Sequence, residues 1–123
     1  MSSTKRGLPD AVERLAAVLA LPESDVTRDA AVQRFETGFE LAWKAVQEAL
    51  RVRGLDCRSP RACLKAAWSQ GWIHDEAAWL RMLDDRNLTT HTYDEEMSRE
   101  VFGRLPGHLG TLRALVEALG RPD

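Results

Sequence analysis

Val32-Gln33-Arg34-Phe35-Glu36-Thr37-Gly38-Phe39-Glu40-Leu41-Ala42-Trp43-Lys44-Ala45-Val46-Gln47-Glu48-Ala49 decides the fold class. Val32, Phe35, Phe39, Ala42, Val46 and Ala49 step alternately by three and four, which keeps one apolar seam along a long helix, and Trp43 and Leu50 widen it. Seams of that period pack helices nearly parallel or antiparallel in bundles. The spacing predicts a helix from about Thr27 to Arg53, closed by Gly54 in the left-handed conformation of a C-terminal cap. Arg34, Glu36, Glu40 and Lys44 fall off the seam, and Glu40 and Lys44 stand in the i,i+4 order that favours an ion pair.

The flanking sequence repeats the pattern. Leu8, Val12, Leu15 and Leu19 predict a shorter amphipathic helix with Pro9 and Asp10 in its first turn, broken by Leu21-Pro22-Glu23-Ser24. Residues 1–6 are polar and expected to be disordered, leaving a domain over residues 7–120. Ser59-Pro60 starts a third helix that Gly71 can end, and Asp75 caps a fourth carrying Trp79, Met82 and Leu83. Met97, Val101, Leu105, Leu109, Leu112, Leu115, Val116 and Leu119 form the stripe of a fifth, in which Pro106 predicts a kink rather than a stop. With no strand-period alternation anywhere, the chain reads as an all-α bundle of four to five helices.

Composition bounds the function. The 123 residues are 44% hydrophobic and 29% charged, ordinary for one globular domain. A formal charge of −2 counts against a broad nucleic-acid-binding surface, so any RNA contact must be local or assembled by oligomerisation. Arg51, Arg53, Arg58, Arg61 and Lys65 form the one notable basic cluster; it is either a solvated face or a docking patch for an acidic partner or RNA phosphates, with Arg58, Arg61 and Lys65 as the candidate contacts. Cys57 and Cys63 lack a CxxC pattern or clustered histidines, so neither a metal nor another cofactor is expected. Without an apolar run long enough to span a membrane, they read as free thiols of a cytoplasmic protein.

Reactive side chains concentrate in Asp84-Asp85-Arg86-Asn87-Leu88-Thr89-Thr90-His91-Thr92-Tyr93-Asp94. At about 100° per residue, Arg86 and His91 sit roughly 140° apart around an unbroken helix. The helix is therefore expected to end between them, at the β-branched Thr89 and Thr90, with a new one starting near Tyr93. His91 and Tyr93 would then project to the same side of the connection. From the residues alone, Arg86 and His91 are either a phosphate-handling pair, supported by Asp84, Asp85, Asn87 and Thr90, or a structural helix break in which Arg86 pairs with Asp84 or Asp85. His74 and His108 read as surface residues.

Gln33-Arg34-Phe35-Glu36, Trp43-Lys44, Ser59-Pro60-Arg61, Trp79 and above all Arg86-Asn87-Leu88-Thr89-Thr90-His91-Thr92-Tyr93 occur in an order that resembles the small HEPN-domain proteins known as nucleotidyltransferase substrate-binding proteins. These are the partners of minimal nucleotidyltransferases in two-gene prokaryotic modules. The resemblance runs from about Leu8 to Leu119. It implies an antiparallel up-down bundle that forms a homodimer with its Arg-x4-His motifs facing each other. It also implies a metal-independent endoribonuclease toxin, with Arg86 and His91 catalytic, acting on single-stranded RNA and neutralised when the partner nucleotidyltransferase adds AMP to Tyr93. The alternative is a non-catalytic accessory subunit that binds nucleotide or substrate for the transferase, or a plain interaction bundle. The chain has no Gly-rich phosphate loop and no paired aspartates on a strand, so it does not read as the transferase itself.

Overall fold

The computed structural model describes residues 3–91 and 94–120, with side chains from residue 7 onward. Five helices follow one another: α1 (Ser3–Leu19), α2 (Asp25–Val52), α3 (Pro60–Ser69), α4 (Glu76–His91) and α5 (Glu95–Gly120). The described residues contain no strand. The expected all-α bundle is the observed one.

Local chemistry sets the boundaries. α2 opens on a capping box: the Thr27 amide donates to Ser24 Oγ at 3.1 Å, and the Ser24 amide donates to Thr27 Oγ1 at 2.7 Å. It closes where Gly54 turns to φ +77°, so that the Gly54 and Leu55 amides reach the carbonyls of Arg51 and Leu50 at 2.9 Å. α3 ends identically, with Gly71 at φ +78° and the Trp72 amide 3.0 Å from the Ala67 carbonyl. Ser59, Asp75 and Asp94 cap α3, α4 and α5 through their side-chain oxygens. α1 starts ahead of Leu8 and includes Pro9, and α5 runs continuously through Pro106.

α2 is the central helix, in contact with each of the other four. Its direction is legible in cross-helix pairs. Arg34 Nη1 donates to the Arg14 carbonyl and Gly7 lies against Leu41, so α1 runs antiparallel to it. Glu36 meets Thr89 and Glu40 meets Arg86, so α4 is antiparallel as well. Phe35 stacks on His108 and Gly38 lies against Leu112, so α5 runs parallel. The four long helices thus alternate in direction, with α3 inserted between α2 and α4.

Phe35 and Phe39 from the α2 seam and Trp79 from α4 are the largest fully buried side chains. Each such burial is worth about 1.5–3 kcal/mol of apolar transfer. Cys57 and Cys63, expected as free thiols, form a disulfide with a Cα–Cα distance of 5.2 Å. The turn into α3 at Ser59-Pro60 folds the six-residue spacing back on itself, which brings the two sulfurs together. No described helix is long and apolar enough to cross a membrane.

Candidate functional site

α4 does not break between Arg86 and His91, as the threonines suggested; it continues to His91. Thr89 Oγ1 and Thr90 Oγ1 lie 3.0 and 2.9 Å from the Arg86 carbonyl, so the hydroxyls fold back onto the helix instead of opening it. Thr89 is also buried, with Glu36 Oε2 3.0 Å from its hydroxyl. That tertiary contact outweighs the modest helix penalty of a β-branched residue.

Arg86 therefore faces α2. Its Nη2 donates to Glu40 Oε1, its Nη1 donates to Asn87 Oδ1 at 3.1 Å, and its guanidinium lies 5.9 Å from the centre of the Phe39 ring. The expected Glu40–Lys44 pairing gives way to this one, and Glu40 Oε2 accepts from Trp43 Nε1 at 3.1 Å. The Arg86 and Glu40 side chains keep 27% and 33% of their surface exposed, so the pair is reachable from solvent. His91 is exposed on the last turn of α4, Thr90 is exposed next to it, and Asp84 is exposed about two turns earlier on the same helix. The two motif residues lie on one helix, five positions and about 140° apart around its axis. Tyr93 and Thr92 lie outside the described residues.

Asp85 has a different task from either expected one. It is 5% exposed and faces α5, where Arg104 donates from Nε and Nη2 at 2.8 and 2.7 Å, and His108 Nε2 lies 2.7 Å away. Burial alone would raise the Asp85 pKa, but the hydrogen bonds from Arg104 and His108 outweigh it and hold the carboxyl below its ordinary range. Asp85 in turn raises the Arg104 pKa. His108, expected on the surface, is buried and stacked on Phe35 at 5.3 Å. A signal for it existed: Val101, Leu105, His108, Leu112, Leu115 and Leu119 keep a regular core stripe in which the histidine occupies an apolar position. Sequence reasoning also missed Glu36 and Glu40 as partners of the motif; a carboxylate pair one turn apart on the face beside the core seam was the available sign.

Arg58, Arg61 and Lys65 are exposed at and along α3, on a different part of the molecule from Arg86. Arg58 Nε pairs with Asp56 at 3.1 Å.

Relatives agree with this architecture. A crystal structure of a Thermus thermophilus protein superposes with a TM-score of 0.85 at 39% identity, over 93% of this chain and 99% of that one. The Haemophilus influenzae protein HI0074, described as having the fold of a substrate binding domain of a nucleotidyltransferase, superposes with a TM-score of 0.82 at 25% identity, over 95% and 99%. A Haemophilus influenzae Rd protein named "Probable ribonuclease HepT" is 31% identical over 94 residues, which are 72% of this chain and 64% of that protein, so the chain spans just under two thirds of that relative. Residues 5–121 match the model of the nucleotidyltransferase substrate binding protein-like family. With the five-helix bundle and the Arg86–His91 motif on α4, that match covers almost the entire chain, which belongs to the nucleotidyltransferase substrate binding protein-like family.

Proposed function

We propose that the chain is a metal-independent endoribonuclease that works as a homodimer and is held in check by a nucleotidyltransferase partner. The observation that carries this reading is the placement of Arg86 and His91 on one unbroken helix, partly exposed and exposed, about 140° apart around its axis. On one copy the two side chains leave the helix in different directions. Two copies packed about a two-fold axis near α4 would supply two arginines and two histidines to one cleft, and the 31% identity to a protein named as a ribonuclease favours that use.

In the cleft, one His91 takes the 2′-hydroxyl proton as the 2′-oxygen attacks the adjacent phosphorus. The P–O5′ bond breaks, the second His91 protonates the departing 5′-oxygen, and a 2′,3′-cyclic phosphate remains. Imidazole suits both jobs because both of its protonation states are accessible near neutrality. Arg86 offers a planar fork to the phosphorane-like transition state, exchanging Glu40 for phosphate oxygens. The transferase would place AMP on Tyr93: the phenolic oxygen attacks the α-phosphorus of ATP, pyrophosphate leaves, and the resulting phosphodiester competes for Arg86.

The test is incubation of protein confirmed unmodified by intact mass with single-stranded RNA in EDTA, beside His91→Ala. Cleavage by the parent alone supports the reading. Failure of both to cleave, with both folded and dimeric, overturns it and leaves the nucleotide-binding accessory subunit, the reading closest to the family's name.

A further inference from the structure

We propose that the outer face of α3 is a docking surface for single-stranded RNA, with an unpaired base stacked on Trp68 and phosphates held by Arg61 and Lys65. The inference takes its ligand class from the ribonuclease reading but concerns a separate surface. Arg61, Lys65 and Trp68 stand at i, i+4 and i+7, within about 60° of one another around the helix, so all three share one face. All three are exposed, and Trp68 leaves 55% of its surface in water although it is among the largest apolar side chains in the protein. Trp68 enters none of the ring stacks of the core. Among the described residues, neither Arg61 nor Lys65 has a carboxylate partner.

Charge selects a polyanion. Residues 51–70 hold five cations, Arg51, Arg53, Arg58, Arg61 and Lys65, against the single carboxylate Asp56. That is +4 in a chain of net −2, so the remainder carries −6 and this segment stands out as the most basic stretch of the chain. A lone exposed indole in line with two cations is the combination that holds single strands, since every base has a face to stack and every nucleotide a phosphate to pair. The Cys57–Cys63 disulfide spans Arg58 and Arg61 and fixes the start of the face, and Arg53, which donates to Gln70 Oε1 at 3.1 Å and lies 5.2 Å over Trp72, braces its end. α3 joins the C-terminal end of α2 to the N-terminal end of α4, whereas His91 closes the far end of α4, about 22 Å along that helix. A strand held on α3 would thus be gripped at a distance from the reacting phosphate.

The experiment measures anisotropy of a fluorescein-labelled 20-nucleotide oligouridine in EDTA, with every protein carrying His91→Ala so that nothing is cleaved. Adding Trp68→Ala is expected to weaken binding roughly tenfold. Adding Arg61→Gln with Lys65→Gln is expected to flatten the slope of log affinity against log salt by about 1.4, the value for two lost phosphate contacts on a single strand. These exposed positions should leave the urea midpoint in place, which separates lost docking from lost fold. Unchanged affinity and slope would overturn the proposal, and so would an oligouridine that does not bind at all. If the substitutions instead abolish co-purification with a co-expressed nucleotidyltransferase and leave RNA affinity untouched, the face docks protein and the RNA assignment fails. A parent protein that binds oligouridine through Trp68 yet never cleaves RNA would remove the ribonuclease reading and leave this one standing.

Discussion

Arg86 is held by Glu40, forty-six residues earlier in the chain, and that pair ties the motif helix α4 to the central helix α2. The carboxylate keeps the guanidinium over Phe39 and also receives the Trp43 indole N–H, so it fixes both the position of the arginine and its own orientation. Because both side chains are about a third exposed, solvent screening reduces what the pair contributes to stability. A double-mutant cycle built from Arg86→Gln and Glu40→Gln, read by urea denaturation, should give a coupling energy of about 1 kcal/mol. A coupling near zero would mean that the two helices are registered by their apolar contacts alone.

Asp85 predicts an acid-sensitive window. Its folded pKa lies below the ordinary 3.8, so its contribution is complete above that value and is lost as pH falls through the lower, folded value. Asp85→Asn should cost about 3 kcal/mol at pH 7, the lower end for breaking a buried pair, because Arg104 is half-exposed and can turn to water. The gap between parent and variant should narrow below pH 3.8 as the parent's carboxyl protonates. Urea midpoints of both proteins across acidic pH check this; a gap that stays constant would show that the carboxyl's charge is not what matters.

The helices were legible because their signals are local. Ser59 and Asp75 cap, Gly54 and Gly71 close, and the α2 seam from Val32 to Ala49 has one period throughout. What the sequence hid were choices settled by partners far along the chain. Thr89 and Thr90 argue for a break on propensity, yet the reach of Thr89 to Glu36 keeps α4 whole. Arg86 has carboxylates at its two preceding positions and takes neither, because Asp85 points toward α5 and Glu40 approaches from α2. Adjacent helical residues face different directions, so their partners follow from packing rather than sequence proximity. The disulfide was hidden by the same logic: composition favours free thiols, and only the turn at Ser59-Pro60 brings Cys57 and Cys63 together.

Four glycines with open space around them divide into two classes with opposite predictions. Gly103 and Gly110 lie inside α5, where an added Cβ meets nothing within 4 Å. Alanine at either should raise stability by about 0.5–1 kcal/mol through helix propensity and a less flexible unfolded chain. Gly54 and Gly71 also have open space around them, but their φ angles are +77° and +78°. Alanine there should lower stability by about 1 kcal/mol because the left-handed conformation crowds its Cβ. Four urea curves decide whether space or backbone angle governs each position.

The Cys57–Cys63 bridge closes a short loop, for which chain entropy predicts about 2 kcal/mol of stabilisation. Denaturation with and without a phosphine reductant, and of the Cys57→Ser/Cys63→Ala variant, should show that loss in each case. If reduction changes nothing while the double variant is weaker, then the buried packing of the two sulfurs, rather than the covalent link, accounts for their effect.

His91 and Arg86 should separate activity from stability. His91 is exposed at the end of α4, so His91→Ala should change the unfolding free energy read from urea denaturation by no more than about 0.5 kcal/mol. If it carries a proton in the reaction, the same change should lower RNA cleavage at least about a hundredfold. Arg86→Ala should cost both, because it strips Glu40 of its partner and removes the guanidinium that packs over Phe39. Arg86→Lys sharpens the contrast: it keeps a charge for Glu40 and so most of the stability, but gives up the planar fork that meets two phosphate oxygens. A lysine variant that cleaves as fast as the parent would show that Arg86 serves only as a point charge. A His91→Ala protein with full activity would assign the proton transfers to another group.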